Sequence, residues 1–125
     1  MIKYIYIFLG AGFGALARYT LAGLVEFHIN SLFPYGTLVV NLIGSFFIGF
    51  LWSIFRVVTI APEIRSLIFV GILGGFTTFS SFMFESMNLL RNGEYFYGFT
   101  NILLANIVGL TAVFLGFKLG DLIVK

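Results

Sequence analysis

The chain has 125 residues, 60% hydrophobic and only 10% charged, with a mean hydropathy of +1.08 and a formal net charge of +2. A soluble domain of this length needs more polar side chains than that to cover its exterior, so the composition excludes a water-soluble globule and requires solution in lipid. The chain has no cysteine and therefore neither a disulfide nor a thiolate metal site, and one histidine with five scattered carboxylates leaves no acid–base or metal constellation for an enzyme.

About 20 apolar residues cross the hydrocarbon core of a bilayer, and four stretches reach that length: residues 4–25, 36–55, 66–84 and 95–117. The first follows Met1-Ile2-Lys3 without a clear small-residue cleavage site, so it is expected to be a retained helix rather than a signal peptide. It alone encloses a charge, Arg18, near its far end. That side chain either snorkels to the interface or lends positive potential to the entrance of an anion path. A short link over residues 26–34, with His28, Asn30, Ser31 and Pro34, leads to the second span. There Asn41 stands a turn inside the apolar run. Either an interhelical hydrogen bond satisfies its amide or its NH2 faces a permeating anion.

After a link containing Pro62, the third span carries Gly74-Gly75-Phe76-Thr77-Thr78-Phe79-Ser80-Ser81-Phe82. Each glycine disfavours helix by about 1 kcal/mol, and carbonyls freed in lipid must find a partner within the protein, an ion or a water-filled cavity. The segment therefore predicts a broken third helix presenting backbone and side chains to something small. Thr78, Ser81 and Glu85, spaced by three and four, share one helical face, although membrane hydroxyls often bond back to their own carbonyls. Most of the 17 phenylalanines must face lipid or fill gaps. Phe79 and Phe82 differ in lying beside the glycines and the hydroxyl face, where the positive ring edge can approach an anion without holding it tightly. A turn at Asn92-Gly93 opens the fourth span, whose polar positions are Asn101, Asn106 and Thr111.

All links are short, which predicts one all-α membrane domain over residues 1–125 with no room for a separate catalytic module. Gly10 and Gly14, Ser45 and Gly49, Gly71 and Gly75, and Gly116 and Gly120 are each four apart, a spacing that lets helices approach closely in lipid. So many close-packing surfaces on a four-helix chain suggest assembly with copies of itself, a homodimer at least. With the termini on one side, that side carries Lys3, Arg56, Arg65, Lys118 and Lys125 against Arg91 and Arg18 opposite, and the positive-inside rule places both termini in the cytoplasm.

Gly12-Phe13-Gly14-Ala15-Leu16-Ala17-Arg18-Tyr19, then Gly36-Thr37-Leu38-Val39-Val40-Asn41-Leu42-Ile43-Gly44-Ser45-Phe46, then Gly71-Ile72-Leu73 running into the glycine and threonine motif above, together resemble the microbial fluoride-channel family called Fluc or CrcB. The resemblance covers essentially the whole chain, and the third motif is its most specific part. It implies a passive fluoride-selective channel of the cell's inner (plasma) membrane that lets toxic fluoride leave the cytoplasm. It further implies an antiparallel, dual-topology dimer with two pores at the subunit interface and a structural sodium ion at its centre, with no nucleic-acid partner. Carried onto this chain, the sodium ligands are the backbone carbonyls of Gly74 and Thr77. Phe79 and Phe82 line the fluoride path, Asn41 is the pore amide, Thr78 and Ser81 are polar contacts, and Arg18 belongs to the vestibule or its support. Glu85, Asn101 and Thr111 are further pore or vestibule candidates, since Ala105 stands where the family commonly has a hydroxyl. Some family members pair two related chains of fixed, opposite orientation, and the basic surplus on the terminal side, larger than expected for a chain that inserts both ways with equal ease, leaves such a pair open beside the homodimer.

Two other classes compete. A small multidrug transporter also has four short helices in an antiparallel dimer, but resembles a proton-coupled mechanism centred on an acidic residue of the first helix; here that span has none and Glu85 is the nearest candidate. A purely structural membrane subunit would use its glycines for packing alone and pass no ions.

Overall fold

The structure, a computed structural model, describes residues 1–125 and is entirely helical. Four stretches are long and apolar enough to cross a membrane: α1 (Ile2–His28), α2 (Tyr35–Val57), the composite stretch Pro62–Arg91, and the last helix (Tyr95–Ile123). The composite stretch comprises α3 (Pro62–Ser66), a π-helical stretch (Leu67–Leu73), α4 (Gly74–Phe76) and α5 (Phe79–Arg91); the last helix is α6. Pro62 occupies the start of α3, where its missing N–H has no helical partner to lose. At the other end, Gly93 takes φ 81°, the only positive φ in the chain, and the bonds from its N–H to Leu90 O and from Glu94 N–H to Leu89 O close α5 in a Schellman turn.

Small residues dictate which helices touch. Gly10 and Gly14 of α1 meet the backbone of the composite stretch, and Gly75 meets α1 in return: a Cβ on Gly75 would lie 2.5 Å from Ala11 O, and one on Gly10 2.5 Å from Leu67 O. A second seam joins α2 to α6, with Gly49 against Val113 O and Gly116 against Phe46 O and Phe50 N. The spacing of these pairs predicts close helix approach, and within the protomer they make it, because backbone approach of this kind is the main attraction between helices that lipid solvates equally well apart.

Polar side chains close the bundle at the end where the termini lie. The buried Ser53 hydroxyl donates to Asp121, whose Oδ1 also accepts from Arg56 Nη2 at 3.1 Å, joining α2 to α6. Arg65 Nη2 donates to Phe55 O at 2.6 Å near the end of α2, and its guanidinium lies 5.4 Å from the Trp52 ring centre.

The backbone departs from helix at a different place from the one the glycines suggest. Gly74 is helical, at φ −64° and ψ −35°, and helix continues through Phe76. Helical geometry lapses at Thr77 (φ −88°, ψ 157°) and Thr78 (φ −146°, ψ 121°), both extended, and resumes at Phe79. Gly75 is held helical by its close approach to Ala11 of α1, and Gly74 continues the same helical run. The two β-branched threonines tolerate extended backbone well, and Asn41 takes up the N–H and the carbonyl of Thr78.

Candidate functional site

Most of the backbone groups freed at Thr77 and Thr78 can be followed to a partner. Asn41 grips Thr78 from both sides: its Oδ1 accepts from Thr78 N–H at 2.8 Å and its Nδ2 donates to Thr78 O at 3.0 Å. Of the two alternatives for this amide, the hydrogen bond is made, and one N–H of the NH2 group is left over. Arg18 Nε donates to Gly75 O at 3.1 Å, so its head is turned to the lapse. Thr78 Oγ1 accepts from Ser81 N–H at 3.2 Å and caps α5. The carbonyls of Gly74 and Thr77 receive no hydrogen bond from the chain, since the N–H groups that a continuous helix would send them are taken by Asn41 and by Thr78 Oγ1.

Two cavities meet at this point, and Thr78 lines both. One, of about 400 Å³, is a cleft bordered by Asn41, Ser45, Thr77, Phe79, Phe82 and Asn106. Phe79 and Phe82 stand edge to face across 6.1 Å, Phe79 72% exposed and Phe82 7%. Gly74 also borders this cleft and is exposed. The other cavity, of about 680 Å³, is lined by Arg18, Glu26, Thr37, Thr78, Ser81 and Glu85. Glu85 is fixed there by Thr37, whose hydroxyl donates to Oε1 at 2.7 Å; its Oε2 is buried without a partner.

Thr37→Val removes that hydrogen bond to a carboxylate and should lower stability by about 2 kcal/mol. Thr37→Ser should restore most of the loss, which thermal unfolding in detergent would register; equal stability of all three proteins would show that the bond contributes nothing.

Of the residues singled out from sequence, Asn41, Gly74, Thr77, Thr78, Phe79 and Phe82 converge on the cleft, and Arg18, Thr78, Ser81 and Glu85 on the second cavity. Two lie apart from both. Asn101 is buried and donates to Ser86 Oγ at 2.9 Å, tying α6 to α5. Thr111 is exposed and donates to Ile107 O, one turn back on its own helix. At the cleft α6 contributes Ala105 and Asn106. Thr37 and Glu26 were not foreseen. The spacing of Thr37 and Asn41, four apart on one helix face, was a readable signal; nothing in the sequence brings Glu26 near Glu85.

The fold and this site define a class: a small multi-pass helical membrane protein with polar groups and aromatic rings gathered around a lapse in one helix. The family described as CrcB-like protein, Camphor Resistance (CrcB), matches residues 5–117. Similar proteins named fluoride-specific ion channel FluC include those of Desulforapulum autotrophicum (46% identity, covering 97% of this chain and 98% of the relative) and Parabacteroides distasonis (44%, covering 99% and 97%). Another, from Aquifex aeolicus, is 41% identical over 90% of this chain and 92% of its own. The chain therefore belongs to the CrcB/FluC family, a family of channels and not of enzymes.

Proposed function

We propose that this protein is a passive, fluoride-selective channel through which fluoride leaves the cytoplasm across the plasma (inner) membrane. The observation that carries the reading is the meeting of the two cavities at Thr78, with Asn41 bonded to its backbone, in a chain whose relatives are named fluoride channels. An anion in the larger cavity meets Arg18, Thr37, Ser81 and Thr78 before the aromatic cleft. Fluoride is small and strongly hydrated, so hydroxyl and amide donors must replace its water, while ring edges attract it weakly enough to let it go.

The functional unit is a dimer of opposed orientation, either of identical chains or of this chain with a related one, with two pores at the interface. Exposed polar groups in the apolar spans support this: the carbonyls of Gly74 and Thr77 lack donors, and Asn106 faces outward beside them. Left in lipid, each such backbone group costs several kcal/mol, a cost that a facing chain removes. Four neutral carbonyl oxygens, two from each chain, suit a hard monovalent cation, and the donor set fits sodium. Bound there, sodium supplies positive charge that offsets the cost of bringing an anion into a low-dielectric interior. Gly74 and Thr77 would hold it, while Asn41 keeps Thr78 extended so that these carbonyls stay free, and Arg18 restrains the adjacent Gly75 carbonyl.

Purified protein in potassium-loaded liposomes, with valinomycin added to balance charge, tests the reading through fluoride- and chloride-selective electrodes. Rapid fluoride efflux with negligible chloride efflux is expected. Equal loss of both anions would remove selectivity from the reading, and no efflux from correctly inserted protein would remove conduction by this chain alone.

A further inference from the structure

Beyond the cleft and the larger cavity lies a third, of about 420 Å³, lined by Asn30, Ser31, Asn88 and Asn92 among others, at the end of the bundle where α1 gives way to α2 and α5 nears its C-terminus. Only Glu26 and Glu85 line both this outer cavity and the larger inner one, so they form the neck between the two. The two carboxylates differ in how they are held. Glu85 is bound by Thr37, with one oxygen buried, whereas Glu26 is exposed and lies against Gly36 in the first turn of α2. A Cβ on Gly36 would sit 2.9 Å from Glu26 Oε1, so the absent side chain leaves room for that carboxylate beside the positive end of α2. Arg18 stands eight residues earlier on the same helix, further into the inner cavity.

Along the line from outer cavity to helix lapse, an anion thus passes negative charge first and reaches the guanidinium second. We propose that Glu26 sets the rate of anion access from this end: a fixed negative charge at the neck that a fluoride ion passes before Arg18 attracts it. The inference rests on the reading of this cavity as part of a fluoride path. Its physical role is to slow entrance of anions of every kind, leaving discrimination among them to the groups further in. Because Glu26 is exposed, its effect on an approaching ion extends over the Debye length, about 30 Å at 10 mM salt and about 3 Å at 1 M.

Glu26→Gln keeps the shape and the packing on Gly36 while removing the charge. In liposomes at about 10 mM ionic strength the variant should pass fluoride about two- to four-fold faster than the unmodified chain, and at about 1 M potassium glutamate the two rates should converge. Glu26→Lys should exceed the glutamine variant at low salt and lose that advantage at high salt. If the unmodified chain conducts fluoride and Glu26→Gln matches it at low salt, or differs from it equally at both salt concentrations, the neck charge has no such role while the channel reading stands. Absence of fluoride flux from the unmodified chain at either salt concentration would remove conduction by this chain alone, and this inference with it.

Discussion

Asn41→Asp is expected to reduce fluoride efflux about 100-fold or more, corresponding to roughly 3 kcal/mol of added barrier. The substitution changes one atom of the side chain but acts three times. The carboxylate can still accept from Thr78 N–H, yet it has no N–H to give Thr78 O, where the amide now donates at 3.0 Å. Two oxygens then face each other, and the extended conformation of Thr78 loses half of its support. The leftover amide N–H, the donor available to an anion in the cleft, disappears. A negative charge also takes its place within reach of the path, and at an effective dielectric of about 20 a like charge 4 Å away costs about 4 kcal/mol. Fluoride efflux from liposomes, compared at equal amounts of monodisperse protein, measures the result. Efflux within a factor of two of the unmodified chain would show that Asn41 is neither at the path nor needed to shape it.

The second large effect concerns the seam between α2 and α6. Gly116→Val places a branched side chain where even a Cβ meets Phe46 O and comes within 2.8 Å of Phe50 N, both backbone atoms of a helix that cannot yield locally. Overpacking commonly costs 1–3 kcal/mol and more where backbone must move, so the variant should lose more than about 3 kcal/mol and yield little folded protein. Gly12→Val provides the contrast, since a Cβ there meets nothing within 4 Å. That change should alter stability by less than about 0.5 kcal/mol, with valine's helix propensity slightly better than glycine's. Size-exclusion profiles and thermal unfolding in detergent would distinguish the two; a well-behaved Gly116→Val protein would mean that α2 and α6 do not meet as described.

These two glycines show why identical residues in a sequence carry different weight. Gly12, Gly14 and Gly116 look alike on the page, and the four-residue spacings marked helix faces able to approach closely. Which face each meets is a property of the assembled bundle. Gly14 and Gly75 are used between α1 and the composite stretch, Gly49 and Gly116 between α2 and α6, and Gly12 in neither. The same holds at the lapse. Glycine composition pointed to Gly74 and Gly75 as the place where helix fails, because isolated propensity is a local quantity. Packing against Ala11 keeps Gly75 helical, and Asn41, 37 residues away in sequence from Thr78, stabilises the extended conformation just beyond it.

The sequence by itself determined that this protein lives in lipid, that four helices cross it, that the motif around Gly74 and Thr78 is its chemically distinctive part, and to which family it belongs. Those properties depend on composition, on the length of apolar runs and on local motifs, all of which are written along the chain. The tertiary structure alone decided that Asn41 binds the backbone of Thr78, that Arg18 turns to Gly75 O, that Thr37 holds Glu85, and that Asn101 serves the α5–α6 contact while Asn106 reaches the cleft. It also placed Glu26 beside Glu85 at the neck. Each of these depends on which helix faces which and with what rotation. In lipid that choice is governed by close backbone approach and by the demand that every polar group find a partner, rather than by hydrophobicity that all four helices share.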